Sequence, residues 1–410
     1  EGKAMQLTRK AFLKALGGLA VISGVGWRAP AHLLAAQEAA RRQAPPDRIA
    51  DIEIFPFDIL LKEPFRIAIA TITAAENVLI RLRTANGLVG LGESSPLAAI
   101  TGETQATDIA LGRTLAELLR GRDPFTIARL VAEMDAFAPH NPGIKAAFEM
   151  ALWDICGKAA GLPLYRLLGS YRDSFETDLT VSLDTPKVMA EKAAAVVRQG
   201  FKAVKVKVGE APALDLERLR LIRDAIGYDV KVRIDANQGW TPTEAVLALR
   251  GLENYQIEFC EQPVAYWDWP GMKYVRENVG IPIMADEAVH SPHDAIAGLR
   301  HNAMDMINIK LMKSGGILRG AQIAHIAEAA NLDCMVGCMS ESRIALTAAA
   351  HLVAAQKTIV YADLDAHLSH SVDPVVGGME IKNGIVHLPE TPGLGVDVDP
   401  GFLSKLRPVT

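Results

Sequence analysis

The sequence predicts an α/β protein in which a parallel β/α barrel follows a smaller α+β domain. Short runs rich in Val and Ile recur after residue 171, and segments with helical periodicity separate them. Charged residues end several runs, and the steps from Lys207 to Asp235, Glu261, Asp286 and Lys310 are 28, 26, 25 and 24 residues. One strand, one loop and one helix of ordinary length occupy about that many residues. Before residue 170, by contrast, strands come first and helices follow, which is typical of a separate α+β domain.

The composition predicts a globular protein that acts on a small molecule. With 410 residues, of which 50% are hydrophobic and 22% charged, the chain can bury the cores of two domains. A formal charge of −5 gives no reason to expect nucleic acid or an anionic membrane as a partner. Assembly into a homo-oligomer is left open. Four scattered cysteines without CxxC spacing favour small core residues over a disulfide framework or a zinc site: Cys156, Cys260, Cys334 and Cys338.

Residues 1–46 predict a secretory signal and a linker. Glu1 to Ala4 precede Met5 and are interpreted as a cloning remnant. Arg9 and Lys10 then lead into an apolar run from Ala15 to Trp27, which small residues follow. The order TRKAFLK resembles a twin-arginine signal with lysine as the second basic residue. We expect export, with a periplasmic location and no membrane contact once the signal is removed. An uncleaved membrane anchor and a cytoplasmic location are the alternatives.

Residues 47–170 are predicted to form the α+β domain. Apolar and polar residues alternate over Ile49–Leu61 and Asn77–Thr84, and Asn86-Gly87 supplies a hairpin turn before a strand at Leu88–Gly92. Helical periodicity favours helices at Thr107–Leu119, Ile127–Phe137 and Ile144–Ala160. A turn-rich C-terminal segment, residues 370–410, is expected to pack back on this domain.

Residues 171–369 are predicted to form the barrel. The predicted strands are Glu176–Val181, Ala203–Val208, Lys231–Asp235, Ile257–Glu261, Ile283–Asp286, Met306–Lys310, Asp333–Cys338 and Ile359–Asp363. Predicted helices between them include Leu214–Ile226, Thr243–Leu252, Ile317–Ala330 and Arg343–Ala354. Active sites of such barrels lie at the C-terminal ends of the strands, where the charged residues fall.

Three carboxylates at successive strand ends, Asp235, Glu261 and Asp286, predict a metal site. Converging carboxylates repel one another unless a cation lies among them. Ligation by oxygen alone, without His or Cys, suits a hard ion such as Mg²⁺. A single such residue could equally be a solvated acid, but three at equivalent positions favour the metal.

Three lysines predict acid/base chemistry beside that metal. Lys205 and Lys207 alternate with valines, so both side chains point to one face of their strand. Lys310, four strands further on, is expected to face Lys207 across the barrel mouth. The charge of Lys205 and a nearby cation would lower the pKa of Lys207 and make it a candidate base. Two opposed amines and a metal-bound carboxylate fit removal of an α-proton and its return from the other face, which is racemisation or epimerisation.

Asp363 and Asp365 are interpreted as a clamp for a cationic group, with a surface turn as the alternative. They are expected opposite the metal. A free amino acid carries its ammonium on the carbon that loses the proton, so that group cannot reach the pair. A dipeptide can, with its C-terminal carboxylate on the metal and its ammonium on the aspartates. The predicted substrate is therefore a dipeptide.

These motifs resemble the muconate-lactonising subgroup of the enolase superfamily, and within it the dipeptide epimerases typified by L-Ala-D/L-Glu epimerase. The matching segments are KVKVG, DANQGW, EQP, ADE, INIKLMKSGG, MVGCM and DLD in the barrel, ETDLTVS at its first strand and GLVGLGE in the first domain. The resemblance implies a capping domain over a modified (β/α)₇β barrel, with one Mg²⁺ per subunit. It implies that the three carboxylates bind the metal, that Lys207 and Lys310 are the acid/base pair and that the two aspartates hold the substrate ammonium.

Further candidate residues surround this site. The candidate substrate contacts are Thr180, Cys338, Met339, Ser340, Arg66 and Ala70. The candidates for supporting the ligands from behind are Asn237, Glu287 and Asn308.

The side chain that the substrate carries is predicted from the loop Phe65–Thr73. The resemblance places an arginine for the glutamate side chain where this sequence has Ala70, and the loop is mostly apolar. We therefore expect a small or hydrophobic C-terminal residue, unless Arg66 enters the site and restores acidic specificity. L-Ala-D/L-Glu epimerase proper, and o-succinylbenzoate synthase or cycloisomerase on the same scaffold, are the alternatives. A peptide-binding protein without chemistry is a further alternative, against which the lysine pair argues.

Overall fold

The first domain is built on an antiparallel sheet of three strands. The computed structural model describes residues 47–409. Its first strands are β1 (Ile49–Ile67), β2 (Ala70–Thr84) and β3 (Val89–Ser94), in the order β1-β2-β3. The predicted turn at Asn86-Gly87 joins β2 to β3, and Gly87 has the positive φ of 87° that such a turn requires. The predicted signal and linker lie at residues 1–46, outside the described part of the chain.

Five helices follow this sheet, and the three longer ones pack on one of its faces. They are α1 (Ala98–Thr101), α2 (Gln105–Leu119), α3 (Ile127–Phe137), α4 (Pro142–Ala160) and α5 (Leu164–Leu168). Helix α4 begins at Pro142 directly after Asn141 and ends before Gly161, which has a φ of 67°. Pro142 suits the first position of the helix and Gly161 its end, whereas the Asn141 side chain makes no capping hydrogen bond. Among the described residues, no helix is both long and apolar enough to cross a membrane.

The second domain is a curled parallel sheet of eight strands with helices between them. Its strands are β5 (Leu179–Val181), β6 (Ala203–Lys207), β7 (Lys231–Asp235), β8 (Ile257–Glu261), β9 (Ile283–Ala285), β10 (Met306–Ile309), β11 (Asp333–Val336) and β12 (Ile359–Ala362), in sequence order across the sheet. The helices are α6 (Pro186–Arg198), α7 (Pro212–Ile226), α8 (Pro242–Leu252), α9 (Trp269–Asn278), α10 (Pro292–His301), α11 (Leu311–Ser314), α12 (Ile317–Ala329) and α13 (Arg343–Ala355). The predicted fold class, a parallel β/α barrel with a capping domain, is confirmed.

The two end strands of this sheet lie side by side. The Asp178 amide, just before β5, donates to the Ala362 carbonyl of β12 at 3.3 Å. The Thr180 amide donates to a carboxylate oxygen of Asp365 at 2.6 Å. These bonds bring the first and last strands together, so that side chains from opposite ends of the sheet meet in one place.

The C-terminal segment packs on both domains. It contains β13 (Val375–Gly377), β14 (Glu380–Lys382), β15 (Ile385–His387), β16 (Val396–Val398) and α14 (Pro400–Leu403). The Val409 amide donates to the Ile54 carbonyl of β1 at 2.8 Å, and the ring of Phe402 lies edge-on to that of Phe57. The segment thus packs on the first domain, as expected. Its strand β15 also pairs with the short strand β4 (Ser174–Glu176), which comes directly before the first barrel strand.

Two element predictions are wrong. The predicted strand Glu176–Val181 is two strands, because β4 pairs antiparallel with β15 whereas β5 joins the barrel. Asp178 lies between them and turns its buried carboxylate to Arg233 at 2.8 Å. The predicted loop Phe65–Thr73 is the end of the long β1–β2 hairpin, where Phe65 pairs with Ile72 beyond an irregularity that contains Pro64.

Candidate active site

The three predicted metal ligands meet at the C-terminal edge of the barrel sheet. Asp235 and Glu261 are the last residues of β7 and β8, and Asp286 directly follows β9. All three side chains are fully buried. One carboxylate oxygen of each lies within 4.8 Å of the other two. Successive parallel strands therefore bring together residues that the sequence separates by about 25 positions each.

Polar neighbours hold these carboxylates in place. The backbone amide of Asn237 donates to Asp235 Oδ1 at 2.9 Å, and the side-chain Nδ2 of Asn308 donates to Glu261 Oε1 at 2.8 Å. Asn237 Nδ2 also donates to Glu287 Oε1 at 3.0 Å. The three residues predicted to support the ligands thus all contact the cluster or one another. Burial, together with the charges of Asp286 and Asp235, raises the pKa of Glu287 to about 7.

The cluster fits a hard divalent cation. Its ligands are all oxygens, and Glu261 Oε2 and Asp286 Oδ1 are buried without a hydrogen bond of good geometry. Each instead lies near a lysine ammonium, Lys205 at 2.8 Å and Lys313 at 2.5 Å respectively. Burial and the charge of Asp235 raise the pKa of Glu261 to about 8. Lysine ammonium groups thus compensate the negative charge of the three carboxylates, and a bound Mg²⁺ would compensate the same charge.

Lys207 and Lys310 reach the same cavity from different sides of the cluster. Lys207 Nζ contacts Asp235 Oδ2 at 2.6 Å, and Lys310 Nζ contacts Asp286 Oδ2 at 2.7 Å. Both lysines line the cavity above the carboxylates. Burial lowers the pKa of Lys310, but the Asp286 and Glu261 carboxylates outweigh it and raise that pKa above its usual value. Two amines therefore flank the place where a substrate carboxylate would meet the cluster.

Lys205 lies beside Lys207, as predicted, since both ammonium groups contact Asp235 Oδ2. The Lys205 ammonium also contacts two carboxylates that the prediction did not include as its partners, Asp363 at 2.7 Å and Glu261 at 2.8 Å, while its distance to Asp235 is 3.1 Å. Burial lowers the pKa of Lys205, but these carboxylates outweigh it and raise that pKa well above its usual value. Lys205 therefore compensates negative charge within the cluster.

The predicted clamp lies next to the metal cluster and not opposite it. Asp363 Oδ2 shares the Lys205 ammonium with the cluster, and Asp363 Oδ1 accepts from the Thr180 hydroxyl at 3.3 Å. Asp365 Oδ2 accepts from the Thr180 amide at 2.6 Å, whereas its Oδ1 has only the Cys338 thiol at 3.8 Å. Burial and the charge of Asp363 raise the pKa of Asp365 to about 6. One clamp oxygen thus keeps most of its capacity to bind an ammonium.

A cavity of about 300 Å³ lies between the two domains above these residues. Lys207, Lys310 and Asn237 form its floor, and Cys338, Met339 and Ser340 contribute one side. The capping domain supplies the rest. Its apolar lining residues are Phe65, Ile67, Ile72, Ala74, Ala75, Pro96, Leu97, Ala98 and Ile100, and its polar ones are Thr71, Thr73, Glu76, Asn77, Glu103, Thr104 and Gln105. Its acidic lining residues are Glu76 and Glu103. Among the described residues that line the cavity there is no arginine.

Arg66 and Ala70 do not line this cavity, contrary to the prediction that they contact substrate. Alternate residues of a strand point to opposite faces, so Phe65 and Ile67 face the cavity while Arg66 faces away. The Arg66 side chain is half exposed and lies 3.9 Å from Glu210 in the loop after β6. Ala70 pairs with Ile67 beside the hairpin turn and is not among the residues that line the cavity.

Lys313 contacts the site directly but was not predicted from the sequence. This lysine lies one helical turn after Lys310 on α11, and its ammonium contacts Asp286. The spacing of three residues between Lys310 and Lys313 could have indicated this contact, because residues three apart in a helix lie on the same side. Gln262 was also missed: its Oε1 accepts from the amides of Asp286 and Ala288, both at 3.0 Å.

Two buried glutamates of the capping domain fix the barrel helices beside the site. Glu93 on β3 accepts from the amides of Ser342 at 2.8 Å and Ala345 at 3.1 Å, at the start of α13. Glu149 on α4 accepts from the amides of Ile317 at 2.9 Å and Leu318 at 2.7 Å, at the start of α12. A carboxylate at a helix N-terminus satisfies free amides and the helix dipole. These helices follow the loops that carry Ser340 and Lys310.

Family models match both domains. The model described as the enolase C-terminal domain-like family matches residues 188–402, and that of the mandelate racemase / muconate lactonizing enzyme N-terminal domain matches residues 50–169. The first of these alone spans more than half of the chain.

Individual relatives are similar over nearly their whole length. The hydrophobic dipeptide epimerase of Enterococcus faecalis is 43% identical over 85% of this chain and 99% of its own. The L-Ala-D/L-Glu epimerase of Clostridium acetobutylicum is 42% identical over 85% of this chain and 98% of its own. The crystal structure of a dipeptide epimerase from Cytophaga hutchinsonii, complexed with Mg and D-Ala-L-Val, has a TM-score of 0.87 and 41% identity over 88% of this chain and 99% of that one.

Proposed function

This chain belongs to the enolase superfamily, in its mandelate racemase and muconate lactonizing enzyme branch, and on that premise we propose that it is a Mg²⁺-dependent dipeptide epimerase. The observation that carries the proposal is the pair Lys207 and Lys310. Each contacts a different carboxylate of one cluster, and both line one cavity. The reaction is therefore an isomerisation in which one amine removes the α-proton of the C-terminal residue and the other returns a proton to the opposite face.

The carboxylate cluster has a separate role from the lysines. Asp235, Glu261 and Asp286 would hold the metal. When bound, the ion stabilises negative charge that develops on the substrate carboxylate as the α-proton leaves. Lys205 compensates the remaining charge of the cluster and keeps its oxygens from repelling one another. Because Lys205 is buried and contacts three carboxylates, it is not free to exchange protons with substrate.

Asp363 and Asp365 would bind the ammonium of the N-terminal residue. Asp365 is 7% exposed and its Oδ1 lacks a strong donor, so an ammonium there would gain a charge-assisted hydrogen bond. Thr180 orients both carboxylates through its amide and hydroxyl. This clamp favours a dipeptide over the substrates of o-succinylbenzoate synthases and cycloisomerases, which carry no ammonium.

The cavity lining favours a small or hydrophobic side chain on the C-terminal residue. Phe65, Ile67 and Ile72 present apolar surface, and the acidic lining residues Glu76 and Glu103 would repel a glutamate side chain. A buried carboxylate without a positive partner costs several kcal/mol. The name of the Enterococcus relative and the D-Ala-L-Val bound to the Cytophaga enzyme support the same choice.

The test is a dipeptide library incubated with the protein and Mg²⁺ in deuterated water and read by mass spectrometry. We expect deuterium at the α-carbon of the C-terminal residue of Ala-Ala, Ala-Val and Ala-Leu, with kcat/KM at least about tenfold higher than for L-Ala-L-Glu. Arg66→Ala should leave this ranking unchanged, because Arg66 lies outside the cavity. No label in any dipeptide would overturn the proposed activity, and a preference for L-Ala-L-Glu that Arg66→Ala abolishes would overturn the proposed specificity.

We also propose that the protein is exported, from the basic and apolar pattern of residues 1–46. Cell fractionation of the native host should recover it in the periplasm, shortened at its N-terminus. Recovery of the unshortened chain in the cytosol would contradict this.

A further inference from the structure

Two lysines share one carboxylate beside the metal cluster. Lys310 Nζ contacts Asp286 Oδ2 at 2.7 Å, and Lys313 Nζ contacts Asp286 Oδ1 at 2.5 Å. Both belong to the short segment that follows β10, and both are buried. The Asp286 carboxylate is thus held at both oxygens by cations that lie one helical turn apart.

The surroundings of the two ammonium groups differ. Lys310 lines the active-site cavity, whereas Lys313 does not border it. Lys313 Nζ also donates to the backbone carbonyls of Asp286, Val289 and Asn308, the last two at 3.1 Å. A lysine ammonium has only three protons, and four acceptors surround this one. Lys313 therefore has no proton available for chemistry in the cavity.

The acceptors of the Lys313 ammonium belong to two segments that carry residues of the site. Asp286 and Val289 lie in the loop after β9, and Asn308 lies on β10, two residues before Lys310. The Lys313 ammonium consequently ties the loop that carries a metal ligand to the strand that precedes an acid/base lysine. It also compensates the charge of Asp286 at Oδ1, while Lys310 contacts Oδ2.

We infer that Lys313 is a positioning residue that fixes Asp286 for metal binding and leaves Lys310 free to act on the substrate. The inference rests on the proposed function for the role of Lys310. Without Lys313, Asp286 Oδ1 would be a buried oxygen that has lost its cation, and Lys310 would be the only cation among residues 47–409 in contact with Asp286. Outer partners of this kind typically set metal affinity by a factor of about 10 to 100.

The test compares Lys313→Met with the wild type and with Lys145→Met, in the full chain. Lys145 is the control because it is also a buried lysine in an ion pair, with Asp135 at 3.0 Å, and Asp135 is not one of the three clustered carboxylates. Titration calorimetry with MgCl₂ should show that Lys313→Met weakens Mg²⁺ binding by at least about tenfold, whereas Lys145→Met binds like the wild type. At saturating Mg²⁺, Lys313→Met should lower kcat for epimerisation of an Ala-Val dipeptide with little change in KM.

Wild-type Mg²⁺ affinity in a folded Lys313→Met protein would overturn the inference, as would an equal loss in Lys145→Met. If Lys313→Met does not fold, Lys313→Gln, which retains two donors without the charge, takes the same measurements. Failure of both to fold also overturns it, since it would make Lys313 a residue of general stability. Because Mg²⁺ binding is measured without substrate, its outcome is independent of whether any dipeptide is epimerised.

Discussion

Lys207 and Lys310 each contact one carboxylate of the cluster, and this pairing decides how they can share a reaction. An ammonium that is hydrogen-bonded to a carboxylate of the cluster is held in position beside the cavity. Each lysine approaches from its own side, because Lys207 contacts Asp235 and Lys310 contacts Asp286. The two amines would therefore serve different faces of one α-carbon.

Replacing either lysine should separate the two half-reactions. We expect Lys207→Ala and Lys310→Ala each to lower epimerisation by at least about 10³-fold, since each removes one proton carrier. Each variant should still exchange the α-proton of one epimer, and the two variants should favour opposite epimers. Lys202→Ala, at an exposed position just before β6, serves as the control. The measurement is deuterium exchange followed separately with L- and D-configured substrates, and full epimerisation by either variant would contradict the two-base mechanism.

A substitution at Glu261 that changes one carboxylate oxygen tests whether the cluster binds a metal. Glu261→Gln keeps the shape of the side chain but removes a negative ligand, so Mg²⁺ binding should weaken by at least about tenfold. EDTA should abolish the activity of the wild type, and added Mg²⁺ should restore it. Glu258→Gln is a matched control, because Glu258 lies on the same strand but pairs with Arg233 at 2.8 Å. Activity that survives thorough chelation would argue against the metal.

At the scale of elements, the strands of the barrel were predictable because their apolar runs are short and bounded by charged or turn residues. In the structure, four strands end one or two residues before their predicted ends: β9, β10, β11 and β12. Asp286, Lys310 and Asp363 consequently lie at the starts of loops, where their side chains can converge. Sequence pattern could not show that the hairpin continues past Pro64 or that Asp178 interrupts a strand, because both depend on contacts with distant segments.

Helix α2 carries a buried acid whose ionisation opposes folding. The Ser94 hydroxyl donates to Asp108 Oδ2 at 2.5 Å, and burial together with the charge of Glu103 raises the pKa of Asp108 to about 8. In the unfolded chain this carboxyl ionises near its usual value of 3.8. The folded state therefore holds the proton more tightly, and the free energy of unfolding falls as pH rises from about 4 to about 8.

Asp108→Asn should remove this part of the pH dependence. The amide cannot ionise but can still accept from Ser94, so we expect the variant to be more stable than the wild type at pH 9 by on the order of 2 kcal/mol. At pH 5 the difference should be smaller. Urea unfolding from pH 5 to pH 9 measures it, with the exposed Asp229→Asn as control. A pH profile parallel to that of the wild type would show that Asp108 is ionised at neutral pH.

At the scale of the whole molecule, Glu149 joins the two domains next to the site. Glu149→Ala leaves the amides of Ile317 and Leu318 and the Trp153 indole without their acceptor. We expect a loss of about 3 kcal/mol in the free energy of unfolding, because buried donors without partners are costly. Glu117→Ala on exposed surface of α2 is the control. Chemical denaturation monitored by tryptophan fluorescence measures the change, and a loss below about 1 kcal/mol would contradict this account of the domain contact.

The chemistry of the site was more predictable than its surroundings. Metal ligands and the two cavity lysines occupy strand ends, and strand ends converge in any parallel barrel. Lys205 shows the limit of that reasoning, since spacing placed it beside Lys207 but could not show that Asp363 would approach it from the far end of the sheet. Arg66 shows a second limit, because its direction depends on the register of a hairpin that the sequence did not reveal.

The capping domain supplies most of the cavity wall, whereas the barrel domain supplies the lysines of its floor. Mutations at Phe65, Ile72 or Leu97 would reshape the space for a substrate side chain without moving Lys207 or Lys310. Selection could thus exchange one preferred substrate for another through a few changes in the capping domain while proton transfer continued throughout. A gene duplicate of this protein would therefore begin its divergence with the catalytic residues in place and with a substrate specificity that few mutations can change.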